Sequence, residues 1–137
     1  MLIVESTVTV TLSSNTCDVV AGRWVDAYTG AVITDPSMID IDHMVPLANA
    51  HRSGGALWST TVKQYYANDL ELEVALIAVS ASANRSKGDR SPDEWKPPAT
   101  TAWCGYATWW VEVKHRWSLT VTTSEKSALQ DMLGTCS

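Results

Sequence analysis

Three short segments carry residue types that hydrolytic chemistry needs. Asp40-Ile41-Asp42-His43 puts a histidine directly after a carboxylate. Asn68-Asp69 follows about 25 residues later, and Asn84-Arg85-Ser86-Lys87-Gly88-Asp89 sets an amide beside two cations. A histidine titrates near neutral pH and can take a proton from water. Carboxylate and amide oxygens are the hard donors that a divalent cation such as Mg²⁺ prefers. Arginine and lysine neutralise phosphate, and arginine can grip two of its oxygens at once. An activated water, charge neutralisation on phosphorus and help for the leaving oxygen are what phosphodiester hydrolysis requires. Asp42 and His43 are neighbours near a strand end, where consecutive side chains diverge. One can therefore hold metal while the other faces water. A second oxygen ligand must come from another element packed on that strand, and Asn84 is the candidate.

In chain order, DIDHMVPL, YAND, SANRSKGD, EWKPP and WCGYATWW resemble the HNH (ββα-metal) endonucleases. The likeness is strongest to small secreted-type nucleases related to the C-terminal domain of GmrSD-type restriction enzymes. It runs from Arg23 to Cys136. It implies an α+β fold with a ββα-metal (HNH/His-Me finger) core, an N-terminal β-hairpin region and a C-terminal helical hairpin. It also implies Mg²⁺-dependent hydrolysis of DNA with low sequence specificity, leaving 5′-phosphate and 3′-hydroxyl ends; Mn²⁺ or another divalent cation also fits. Position by position, His43 matches the general base, and Asp42 and Asn84 match the metal ligands. Asn68 matches the middle asparagine that pins the loop bearing the base. Arg85 and Lys87 match phosphate contacts, and Asp40 a supporting position. DNA is the expected partner, with RNA or a toxin-type nuclease held by an immunity protein as alternatives. A non-catalytic binding module of the same fold is a further alternative. No membrane partner is expected, and a monomer is.

Each role has a plainer rival. A histidine after an aspartate is ordinarily a surface pair, and only the ordered motifs raise His43 above that. Asn84 alone reads as a helix cap, Asn68-Asp69 as a turn or cap pair, and Arg85 with Lys87 as a solvated helix face. His51 and His115 lack a motif. The tryptophans fit the core by spacing, with Trp24, Trp58, Trp103 and Trp110 replacing the absent phenylalanines; base stacking by an exposed one is the lesser reading. The serines include no G-x-S-x-G elbow, which argues against a serine hydrolase.

The elements that must position these groups follow from periodicity. Thr7 to Leu12 alternates as a strand, and the segments around Trp24 and Val32 form a hairpin across Gly30. Met38 to Asp42 is a short strand ending at His43. Helices are predicted after Pro46, over Leu57 to Ala67, and from Ser82 to a stop at Gly88. Leu72 to Val79 reads as a buried strand, with a helix as the alternative for its first half. Trp103 to Trp117 carries an aromatic stripe at helical spacing, and Thr122-x-x-Glu125 is a capping box opening a last helix that ends at Gly134. An antiparallel pairing of those two helices brings Cys104 beside Cys136. A disulfide there is predicted, with two buried free thiols as the alternative, and Cys17 is left over.

The 137 residues suit a single domain spanning 1–137, whose first 16 residues match the family pattern poorly. The net charge of −5 argues against a simple basic nucleic-acid binder, but it is an average over unlike parts. Residues 84–117 hold six basic and four acidic residues, net +2, and the remainder is net −7. Weak, salt-sensitive and metal-dependent substrate binding is expected. An extracellular location follows from the resemblance and the predicted disulfide. The chain has no secretory leader pattern at its start, which keeps a cytoplasmic or phage-encoded origin as alternatives.

Overall fold

The computed structural model describes residues 2–14 and 18–137, which leaves Cys17 outside the described residues. Helices and small antiparallel sheets mix in an α+β arrangement. The N-terminal part contains α1 (Leu2–Glu5), β1 (Thr11–Leu12), β2 (Val19–Ala21), β3 (Trp24–Val25) and β4 (Val32–Ile33). β1 pairs with β2 and β3 with β4. The expected hairpin is β3–β4, with Gly30 in the left-handed region at φ 77°. Among the described residues the strand expected from Thr7 pairs with β2 at Thr11 and Leu12, across a shift in register, while the Thr7 N–H bonds the Arg23 carbonyl separately. α1 was not legible in the sequence; one turn of helix is held by tertiary contacts, including the Trp24 indole N–H donating to the Leu2 carbonyl at 2.9 Å.

The unit that carries most of the candidate residues is β5 (Ile39–His43), β6 (Leu76–Ser80) and α4 (Ala81–Lys87). β5 and β6 run antiparallel, from Ile39 opposite Ser80 to His43 opposite Leu76, and α4 packs against both. β6 is buried along four of its five positions, as its apolar sequence dictates. It begins later than expected because residues 73–75 form a 3-10 turn. β5 inverts the usual amphipathic rule. Its alternation puts Asp40 and Asp42 on one face and Ile41 on the other, yet Asp42 is buried and Ile41 exposed. Polar partners rather than apolar burial fix this strand's orientation.

α4 starts at Ala81, one residue before the expected Ser82. Ser80 caps it by accepting from the Ala83 N–H, and Gly88, at φ 55°, ends it. Between β5 and β6 lie α2 (Leu47–Arg52) and α3 (Thr60–Ala67), the latter capped by Ser59. α5 (Trp103–Arg116) and α6 (Thr123–Leu133) form the C-terminal hairpin. Thr122 caps α6 by accepting from the Glu125 N–H. The Glu125 side chain does not close the capping box. It pairs with Lys114 of α5 at 2.8 Å and accepts from the Trp110 indole.

Tyr106, Trp110, Val113, Leu129 and Met132 pack the hairpin onto Tyr28, Val79 and Trp95 in the main core. Trp24 and Trp110 are fully buried, while Trp58 and Trp103 are half-buried. Cys104 and Cys136 are bonded, with Cα atoms 5.0 Å apart, which ties the start of α5 to the end of α6. Among the described residues no helix is long and apolar enough to cross a membrane.

Candidate active site

β5 and α4 supply the charged face. Strand residues two apart share a face, and so do helix residues one turn apart. Asp40 and Asp42 therefore look toward Asn84 and Lys87. The Asn84 side-chain N–H donates to Asp40 Oδ2 at 3.0 Å, which leaves its carbonyl oxygen as the presented atom. Arg85 Nε lies 3.7 Å from Asp40, with the arginine side chain 75% exposed.

Asp42 lies deeper. Its Oδ2 accepts from Lys87 Nζ at 2.5 Å and from the Tyr28 hydroxyl at 2.6 Å. Lys87 is wholly buried and also donates to the Met44 and His43 carbonyls at 2.8 and 3.0 Å. Its ammonium lies 5.5–5.9 Å from the ring centroids of Tyr28, Tyr106 and Trp110. This corrects the expectation that Lys87 contacts phosphate: an ammonium with four oxygen neighbours and no exposure has nothing left for substrate. Burial lowers its pKa from the ordinary lysine value, opposed by Asp42. Burial and the charge of Asp42 push the Tyr28 hydroxyl up, so it stays a donor. Among the described residues no hydrogen bond reaches Asp42 Oδ1. One carboxylate oxygen is thus anchored and the other is free to bind.

His43 follows directly on β5. Its Nε2 lies 2.8 Å from the Ala67 carbonyl. A carbonyl can only accept, so Nε2 carries the proton and Nδ1 of the neutral ring is the free base. The ring stacks on Tyr66, whose hydroxyl donates to the Val45 carbonyl at 2.6 Å. Asn68 is the C-cap of α3, and its side chain donates to the Gln64 carbonyl. Among the described residues no hydrogen bond joins that side chain to His43. The pin on the base is the peptide carbonyl one residue earlier. Its neighbour Asp69 fastens this corner to α5 by accepting from Arg116 at 2.7 and 3.1 Å and from the Trp117 indole at 3.1 Å. His115 is exposed, and His51 lies on the rim of an open groove.

Sequence reasoning missed Tyr28, the Ala67 carbonyl and the inward face of Lys87. The last had a signal: Lys87 is one turn from Asn84, so if Asn84 faces the strand, Lys87 must too.

Among the described residues no group of three or more His, Cys, Asp and Glu side chains forms a metal-holding cluster. The donor set is instead a free carboxylate oxygen on Asp42 and the Asn84 carbonyl, with Asp40 beside it. Few protein oxygens, with water and phosphate completing the shell, suit Mg²⁺, which keeps several waters. The residues present therefore fit such an ion.

Residues 5–132 match the family model described as the C-terminal domain of GmrSD restriction endonucleases. An uncharacterized secreted protein of Arthroderma benhamiae is 48% identical over 120 residues, covering 88% of this chain. The chain spans 58% of that relative's length. No solved structure matches the chain significantly.

Proposed function

Because the chain belongs to the family of C-terminal domains of GmrSD restriction endonucleases, we propose that it is an HNH-type, metal-dependent endonuclease that hydrolyses DNA with low sequence specificity. The observation that carries this reading is the charged face of the β5–β6–α4 unit. There the free oxygen of Asp42 and the amide of Asn84 lie on packed neighbours, and His43 follows Asp42. This unit is read as the ββα-metal core.

In this reading Asp42 and Asn84 would hold the ion, which when bound would supply positive charge for the phosphate and the leaving oxygen. Asp40 fixes the orientation of the Asn84 amide, and Lys87 with Tyr28 fixes Asp42; partners of this kind hold ligand oxygens in place. His43 Nδ1 removes a proton from the attacking water. The Ala67 carbonyl holds the imidazole tautomer that leaves Nδ1 free, and Asp69, tied to Arg116 and Trp117, steadies the corner that carries it. Arg85, exposed beside Asp40, grips the phosphate. Products carry 5′-phosphate and 3′-hydroxyl ends. Low specificity follows from a site whose proposed substrate contacts, the ion and Arg85, meet phosphate rather than base edges. The disulfide and the secreted relative favour an extracellular place of action.

The test is nicking of supercoiled DNA in Mg²⁺ against the same reaction in chelator. Wild type nicks only with metal, His43→Ala loses activity by at least about 100-fold, and Asn84→Ala needs far more metal. Equal nicking by wild type and His43→Ala sinks the proposal and leaves a binding module. Cleavage of RNA with DNA untouched moves the activity to a ribonuclease.

A further inference from the structure

An open groove of about 370 Å³ lies between α2 and α3. Trp58, Tyr66 and Ala67 line it, with His51 and Lys63 on its rim. Its size falls toward the small end of small-ligand sites, which span roughly 300–1,000 Å³. Two of its lining residues, Tyr66 and Ala67, also touch His43. Ala67 supplies the carbonyl that holds His43, and the Tyr66 ring lies parallel to the His43 ring at 6.4 Å. Trp58 packs on Tyr66 at 5.3 Å and on Trp117 at 5.5 Å, yet it keeps part of its surface in the groove.

Charge distinguishes the groove from the rest of an acidic protein. No lining residue carries a carboxylate; the ionisable ones are Lys63, His51 and the phenol of Tyr66, which donates to the Val45 carbonyl. A polyanion can approach this face. The walls are largely apolar, so what enters should be flat and apolar on its faces, while the charge it brings stays at the rim.

From this we infer that the groove takes an unpaired nucleobase of the substrate strand, stacked on Trp58, with the adjoining phosphate beside Lys63. The inference rests on the nuclease reading and gives it a substrate preference. A base in a duplex must first leave its stack, and the cost is least when it is already unpaired. The protein therefore cuts single-stranded or gapped nucleic acid ahead of intact duplex. Stacking on an aromatic side chain tolerates any base, which agrees with low sequence specificity.

The experiment is an abasic scan. A labelled oligonucleotide of roughly 16 nucleotides is made with one abasic position moved along it, as DNA and as RNA. Cleavage is followed with wild type, and binding by fluorescence anisotropy with full-length His43→Ala. One position near the cut should lose about 5- to 100-fold in both measurements, the scale of one lost base stack. Trp58→Ala should lose the same factor on single strands, lose little on duplex, and show no further effect of the abasic position. Trp58→Phe should restore most of it. The scan on wild type needs no substitution, so a folding defect in Trp58→Ala leaves the test intact. Cleavage with a flat scan, or equal rates on single strand and duplex, overturns the groove inference and leaves the nuclease reading standing. Abasic-dependent binding without cleavage of any substrate does the reverse. Sensitivity on RNA alone keeps the base site and changes the nucleic acid.

Discussion

Replacing Lys87 by methionine keeps most of the side chain's bulk and removes its charge. Four oxygens then lose a donor: Asp42 Oδ2, the Met44 and His43 carbonyls, and the Tyr28 hydroxyl. Asp42, only 6% exposed, keeps the Tyr28 hydroxyl alone. Breaking a buried ion pair from one side costs about 3–5 kcal/mol, because the remaining charge has no compensation. Domains of this kind hold about 5–15 kcal/mol in total, so Lys87→Met should be barely stable. Urea unfolding followed by tryptophan fluorescence reads the difference by linear extrapolation. Lys87→Met/Asp42→Asn removes both charges of this pair and should recover much of the loss. A solvated phosphate contact would behave oppositely, changing stability by less than about 0.5 kcal/mol while reducing the salt dependence of DNA binding. If Lys87→Met loses under about 1 kcal/mol with an unchanged denaturant slope, the buried network described here is wrong.

Arg85→Ala, from the same motif, should leave stability within about 0.5 kcal/mol and lower the salt slope of DNA binding by about one. Tyr28→Phe removes a hydrogen bond to a charged acceptor and should cost about 1.5–3 kcal/mol; by freeing Asp42 to turn, it should also weaken Mn²⁺ binding in calorimetry by about 10- to 100-fold. Burial pushes the Asp69 carboxyl up, but its bonds to Arg116 and Trp117 outweigh this and hold it below the usual range. The stability it contributes is therefore complete above its unfolded value of about 3.9 and is lost as pH falls through the lower folded value. Urea midpoints between about pH 5 and 2 should fall less steeply for Asp69→Asn. Cys136→Ser opens a loop of 32 residues' separation, worth about 3.5–4 kcal/mol on the chain-entropy account. Calorimetry should show Tm lower by about 10–15 °C.

Much of the site was legible because local rules and motif order agreed. The alternation of MIDID set Asp40 and Asp42 on one face, and the helix stop at Gly88 placed Asn84 and Arg85 on a short helix. The aromatic stripe and Thr122 gave the C-terminal hairpin, and its antiparallel run gave the Cys104–Cys136 bond. What failed depended on tertiary partners. Nothing local says that the polar face of β5 is the buried one; that follows from Lys87 and Tyr28 meeting there from distant segments. Asn68 drew attention as a motif residue, and among the described residues its side chain bonds the Gln64 carbonyl. The peptide before it and the carboxylate after it hold the corner. Glu125 was read as closing its own helix cap, and the nearer ammonium of Lys114 took it instead. A capping pattern cannot announce such competition from a second helix.

The disulfide encloses residues 104–136, and His43, Asp42, Asn84 and Arg85 all lie outside that span. Covalent closure and chemistry therefore occupy separate stretches of chain. Opening the bond raises the rate at which the helical hairpin frays and is lost to proteolysis, without touching a group that meets substrate. A reduced molecule should turn over at its usual rate while the hairpin stays docked, because Arg116 and Trp117 within it fasten the Asp69 corner beside Ala67. Redox conditions then set the protein's working lifetime rather than its speed: durable where thiols are oxidised, self-limiting where they are not.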